Sequence, residues 1–129
     1  MKDDVRRTTL TCTLLAASMF LTACGRRDAE FTKALPGTWK QELNTFTDTL
    51  AILPDGTFSF SRLATNADTT FTNTGTWQIR GGKFILTATN RFGTHALPLG
   101  DIFKGDIIHL DEHMWVFETE GGLRNSFRR

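Results

Sequence analysis

Gly75-Thr76-Trp77-Gln78-Ile79-Arg80-Gly81-Gly82-Lys83-Phe84-Ile85-Leu86-Thr87-Ala88-Thr89 decides how the rest of this chain is read. Apolar and polar residues alternate on both sides of Gly81-Gly82, and a glycine pair between alternating runs predicts a hairpin with a primed two-residue turn. Folding the segment about that turn pairs residues whose numbers sum to 163. Ile79 then faces Phe84, Trp77 faces Leu86, Gly75 faces Ala88 and, further out, Phe71 faces Phe92. The other face pairs Thr76 with Thr87 and Thr74 with Thr89, so one side is apolar and the other is threonine. Turn chemistry and alternation agree, which is a stronger indication than either alone.

Working outward, Pro54-Asp55-Gly56 suits a three-residue loop with Gly in the left-handed position. Pairs then sum to 110, so that Ile52 faces Phe58, Leu50 faces Phe60 and Asp48 faces Arg62. Turn signals recur at Asn90 to Gly93, Gly100-Asp101 and Gly121-Gly122, while Thr and Phe abound and helix caps are absent after Pro36. Short strands at such spacing indicate an all-β domain. A one-sided antiparallel meander leaves two bare edges unless it closes on itself. Residues 36–129 are therefore expected to form a small up-and-down barrel of about eight strands, with a six- or seven-stranded open barrel as the alternative. Trp39, Leu43, Leu50, Ile52, Phe58, Phe60, Phe71, Trp77, Ile79, Phe84, Leu86 and Leu97 are expected inside, nearly enough to fill it. Later in the chain, either Trp115 and Phe117 or Met114 and Val116 point inward.

Composition narrows the function classes. The 129 residues carry 15 Lys+Arg and 14 Asp+Glu with 40% hydrophobic residues, which excludes a multidomain enzyme, a charged tail and wholesale disorder. Near-neutral charge gives no electrostatic reason to expect nucleic acid as a partner. His109-Leu110-Asp111-Glu112-His113 would set two zinc ligands on one face of a helix, with Glu112 as a base. Ile107-Ile108 before it and Met114-Trp115-Val116-Phe117 after it are strand-like, however, so Asp111-Glu112 is expected to be a hairpin tip; the only metal contact left open is an adventitious one that includes His95. The Gly-Gly pairs precede no helix and so are not phosphate cradles, and no Ser lies in a Gly-x-Ser-x-Gly elbow. No catalytic residue, metal or cofactor is expected, and the chain is not read as an enzyme.

The amino terminus reads as an address. Lys2, Arg6 and Arg7 precede an apolar run from Leu10 to Ala23, roughly 21 Å long as a helix, which is too short for a bilayer core of about 30 Å. Leu21-Thr22-Ala23-Cys24-Gly25 resembles the lipobox of bacterial lipoprotein signal peptides. That resemblance implies a signal peptide over 1–23, cleavage before Cys24, and diacylglycerol and palmitate on Cys24 as a membrane anchor. Gly25 in second place is similar to outer-membrane sorting where two membranes exist. The implied location is the cell envelope, facing the periplasm or the exterior. Removal of 23 residues from 129 leaves 106, with Cys12 gone and Cys24 alkylated, so no disulfide is available and stability must come from apolar burial. Residues 24–35 are expected to be a lipidated tether, with a short helix near Asp28–Ala34 as an option.

Leu35-Pro36-Gly37-Thr38-Trp39 resembles the Gly-x-Trp opening of lipocalins, and Gly75-Thr76-Trp77 followed by Gly81-Gly82-Lys83-Phe84 is similar to small bacterial lipocalin-like domains. The resemblance implies a Trp at the barrel floor with a late Arg stacked on it, a role open to Arg124, Arg128 or Arg129. Four polar residues share the inward phase: Gln41, Asp48, Arg62 and Asn73. Two functions are open. In the first, Phe58, Phe60, Phe71, Trp77 and Phe84, with Trp39, hold a small apolar or amphipathic ligand whose polar head meets Gln41, Asp48, Arg62 and Asn73. In the second, Asp48 and Arg62 simply pair near the barrel end, the interior is filled, and the lipoprotein binds or inhibits another envelope protein.

Overall fold

The computed structural model describes residues 25–64, 71–93, 96 and 98–129. The signal segment 1–23 with Cys12, the anchor residue Cys24, and His95 and Leu97 lie outside the described residues. One helix, α1 (25–34), precedes eight strands: β1 (Gly37–Glu42), β2 (Phe46–Ile52), β3 (Thr57–Ala64), β4 (Phe71–Arg80), β5 (Lys83–Phe92), β6 (Ile102–Leu110), β7 (Met114–Thr119) and β8 (Arg124–Arg128). Each strand pairs antiparallel with the next, and β8 returns to β1 to close a barrel.

Both hairpin registers follow the turn arithmetic near their turns. Ile52 faces Phe58, Leu50 faces Phe60 and Asp48 faces Arg62. Ile79 faces Phe84, Trp77 faces Leu86 and Gly75 faces Ala88. Gly81 and Gly82 take φ of 59° and 74°, the left-handed pair a primed turn requires. In the β2–β3 turn Asp55 accepts hydrogen bonds from the Thr57 hydroxyl (2.6 Å) and then the Thr57 amide (3.0 Å), which hold its carboxyl below the ordinary value.

The β4–β5 register then departs from expectation. It shifts at Thr74/Gly75, so Thr74 faces Asn90 rather than Thr89, and Phe92 faces Thr72 rather than Phe71. Thr89 is the extra residue of a β-bulge, and a one-residue slip turns every later side chain to the other face. Phe92, expected opposite Phe71 on the apolar side of the hairpin, is instead 75% exposed. Strand β5 also runs through Asn90 and Arg91, which the sequence suggested as a turn. Leu43 is a second correction: β1 ends at Glu42, and Leu43 projects from the following turn, largely exposed.

Gly75 sits where the bulge brings two backbones together, and a Cβ there would collide with the Thr87 carbonyl oxygen and lie 2.9 Å from the Phe58 ring. Gly75→Ala is therefore expected to cost at least about 2 kcal/mol, because backbone cannot move aside as a side chain can. A urea midpoint equal to that of the parent protein would contradict this.

The late strands resolve their open phase. Trp115 and Phe117 are buried, while Met114 and Val116 are only partly covered. Trp115 lies between Phe84 (centroids 4.8 Å apart) and Trp39 (5.9 Å), and Phe117 packs on Phe84 (4.6 Å) and Phe127 (5.8 Å). Leu50, Ile52, Phe58, Trp77 and Leu86 complete this core.

One end of the barrel is plugged. Pro36 disfavours helix at Leu35, so α1 stops at Ala34 and the chain turns into β1. Phe31 packs against the core and Leu35 is fully buried. Both Asp28 carboxylate oxygens accept hydrogen bonds from the Gly81 and Gly82 amides, each at 2.7 Å, so the glycine turn grips the helix as an anion nest. The Trp39 Nε1 donates to the Leu35 carbonyl (2.8 Å). Of the three arginines open to the stacking role, Arg129 takes it, 4.3 Å above the Trp39 ring, and it donates to the carbonyls of Pro36 (2.8 Å) and Glu112 (2.6 Å).

Candidate functional site at the open end of the barrel

In an antiparallel barrel successive turns alternate between ends. The β2–β3, β4–β5 and β6–β7 turns share the plugged end with α1, whereas the β1–β2, β5–β6 and β7–β8 connections share the other. The sequence-derived ligand set divides between these ends. Trp39, Phe58 and Trp77 are buried in the floor and core, with the Trp77 Nε1 donating to the Leu53 carbonyl (2.8 Å). Asp48, Phe60, Arg62, Phe71 and Asn73 gather at the open end, on β2, β3 and β4.

The open end is organised by Arg62. Its Nε and Nη2 donate to the two Asp48 carboxylate oxygens at 2.7 and 2.8 Å, a bidentate fork across adjacent strands. The guanidinium lies 3.8 Å above the Phe46 ring centroid and within 6 Å of Phe71 and Phe60, at 5.6 and 5.9 Å. Phe46 is missing from the sequence-derived set, although it shares the parity of Asp48, Leu50 and Ile52 and could have been found from it. Asp48 is buried, whereas the Arg62 side chain retains 35% exposure. Asn73 is buried beside the bulge and its Nδ2 donates to the Asn90 carbonyl at 3.5 Å.

A second feature of this end lies outside the sequence reading. Leu43, Leu63, Phe92, Leu99, Ile102 and Leu123 form an exposed apolar rim. Of the other exposed large apolar side chains among the described residues, Phe103 packs its ring on Phe84 and Phe117 of the core, and Leu53 and Ile108 lie away from this end. The rim's ion pairs are internally neutral: Lys104 binds Glu120 (3.0 Å) and Arg124 binds Glu118 (2.9 Å). The rim was not legible because its members sit at turns or out of phase, and the bulge alone turned Phe92 outward.

His109-Leu110-Asp111-Glu112-His113 forms the end of β6 and the β6–β7 turn at the plugged end. Asp111 accepts from the His113 and Met114 amides (2.7 and 2.8 Å) and lies 2.7 Å from the His109 Nε2. Among the described residues no group of three or more His, Cys, Asp or Glu is placed to hold a metal ion. The His109 contact, followed by the two amides, holds the Asp111 carboxyl far below the ordinary carboxylate range. A depressed carboxyl steadies its turn above about pH 4 and loses that contribution as pH falls through the lowered value. An NMR titration of the Asp111 carboxyl is expected to show this low midpoint, and His109→Ala to return it toward about 4.

Comparison of the chain with protein-family models, with curated proteins and with solved structures finds no match.

Proposed function

We propose that this chain is a bacterial envelope lipoprotein, held to the membrane by diacylglyceryl-Cys24, whose filled barrel docks another envelope protein on its open rim. Its role is binding, not catalysis. The observation that carries this proposal is the segregation of apolar surface. Rings occupy the core and α1 plugs the floor, while six of the nine exposed large apolar side chains among the described residues lie at the opposite end. Exposed apolar groups collected in one place mark an interaction site. Because α1 begins at residue 25, the lipid would enter from the plugged end and the rim would face away from the bilayer, toward the periplasm or the exterior. Gly25 favours the outer membrane where there are two. The Gly37-Thr38-Trp39 floor with Arg129 stacked upon it supports the lipocalin-like resemblance.

A second use, capture of a small amphipathic molecule, is favoured by the partly exposed Arg62 among Phe46, Phe60 and Phe71. A palmitate analogue is expected to label the parent protein in cells, and Cys24→Ala to abolish the label. A photocrosslinking residue at Phe92 is expected to give a discrete protein adduct in cells, and one at Thr76, on the outer wall, to give none. Equal adducts from both positions, or no adduct from the rim, would overturn the docking role. Uptake of a hydrophobic fluorescent probe that Arg62→Ala abolishes would instead favour the ligand.

A further inference from the structure

Closure of the barrel rests on one point. Strands β1 and β8 share a single ladder pair, Lys40 with Arg128, whereas every other neighbouring pair is joined along several successive residues. Continuing that register would set Glu42 opposite Ser126, but the strands part there and leave a groove of about 520 Å³ that opens toward the rim. Its walls include Lys40, Gln41, Glu42, Arg124, Ser126 and Arg128.

Backbone phase determines what this groove offers. The Leu43 amide donates to the Phe46 carbonyl, toward β2, so the even-numbered residues of β1 turn their main-chain groups to the seam. The Arg129 amide donates to the His113 carbonyl, so Arg124, Ser126 and Arg128 likewise face the seam. Beyond the Lys40–Arg128 pair, Glu42, Ser126 and Arg124 present main-chain donors and acceptors with no strand opposite among the described residues. Among the described residues the buried Gln41 Oε1, on the groove wall, has no hydrogen-bond donor. An open strand edge is what an extended peptide recognises.

Charge selects the peptide. Among the described residues Lys40 and Arg128 form no ion pair, Arg124 has Glu118, and Glu42 is the only carboxylate on the groove wall. We infer that the β1–β8 seam docks an extended acidic segment of a partner protein, which adds a short strand along β8. Three strand residues, Arg124 to Ser126, span about 10 Å at about 3.3 Å each, so three or four residues of the segment engage. Two copies of this seam would bring cations together, which disfavours edge pairing of the chain with itself. The assignment of a protein partner rests on the docking role proposed above; the seam is a strand edge that meets the rim at Leu43.

The test titrates the full chain, in detergent micelles, with a capped pentapeptide alternating glutamate and valine, read by amide chemical shifts and hydrogen exchange. Saturable shifts confined to Lys40–Leu43 and Arg124–Arg128 are expected, with exchange of the Glu42, Arg124 and Ser126 amides slowed at least tenfold. A lysine–valine peptide, and an acidic peptide with a central proline, are expected to bind at least tenfold more weakly. Lys40→Glu together with Arg128→Glu should weaken the acidic peptide at least tenfold while the circular dichroism stays that of a β-barrel. Glu42→Gln, which removes the one opposing charge, is expected to tighten binding and serves as a second variant should the double substitution unfold the chain. No saturable shift at the seam, equal binding of the basic or proline peptide, or self-association through β8 would overturn the inference. Rim variants such as Phe92→Ser separate the two proposals, since they should abolish the cellular adduct and leave peptide binding at the seam unchanged.

Discussion

Trp39→Ala is expected to lower stability by about 4 kcal/mol, within the range of about 3–5 kcal/mol for deleting a buried large aromatic side chain. Three interactions end together at this residue. The ring leaves its edge contact with Trp115 at 5.9 Å, the Leu35 carbonyl loses its indole donor at 2.8 Å, and the Arg129 guanidinium loses the ring beneath it at 4.3 Å. The last two hold the junction between α1 and β1, so the helix should loosen before the barrel unfolds. Trypsin would then cut after Lys33 in the variant under conditions that spare the parent. For a domain near 100 residues, about 4 kcal/mol corresponds to a melting temperature lower by roughly 15–30 °C. Trp39→Phe keeps a ring but not the Nε1 donor, and should cost less, though more than the roughly 1 kcal/mol of one hydrogen bond. A melting temperature for Trp39→Ala within a few degrees of the parent would show that the floor does not depend on this ring.

Arg62→Ala has the next largest expected effect, about 3 kcal/mol. Its cost comes less from the lost contact than from what is left behind: Asp48, 3% exposed, would remain as a buried carboxylate with its bidentate partner removed. Breaking a buried pair costs about 3–5 kcal/mol, and the partial exposure of Arg62 puts the value at the lower end. Phe46 also loses the cation that sits 3.8 Å above it. Arg62→Lys keeps the charge without the planar fork and should recover only part of the loss. Because the penalty belongs to an orphaned carboxylate, adding Asp48→Ala should relieve it, and the double variant should be more stable than the sum of the single losses predicts by about 1–3 kcal/mol. Additive losses in urea titrations would mean that the pair is not coupled.

Alternation and turn chemistry made most of the barrel legible. Gly81-Gly82 and Pro54-Asp55-Gly56 each specified a turn, and each turn set a register that the structure keeps for several pairs. The same registers brought Asp48 opposite Arg62, so that pair could be read from spacing alone. Phe46 shares the parity of Asp48 and was open to the same reading, but the gathering of rings from β2, β3 and β4 around one guanidinium depends on how the strands curve. Phe92 reached the rim because of a bulge, and no residue near Thr89 announces one. The choice between Trp115 and Met114 as inward residues was likewise undetermined, because Met114-Trp115-Val116-Phe117 is apolar in both phases.

Short-range rules therefore determined by themselves that this is an all-β meander, where its first hairpins turn and which residues face one another beside those turns. Both kinds of information are local, carried by backbone preference at the turn and by a side-chain period of two along the strand. Tertiary structure alone decided that α1 plugs the floor through Asp28 and the Gly81-Gly82 amides, that Arg129 covers Trp39, and that β1 and β8 meet at a single pair. The reason is physical: each of these joins groups far apart in the chain, and such contacts depend on how the sheet twists and closes, which no stretch of sequence expresses locally.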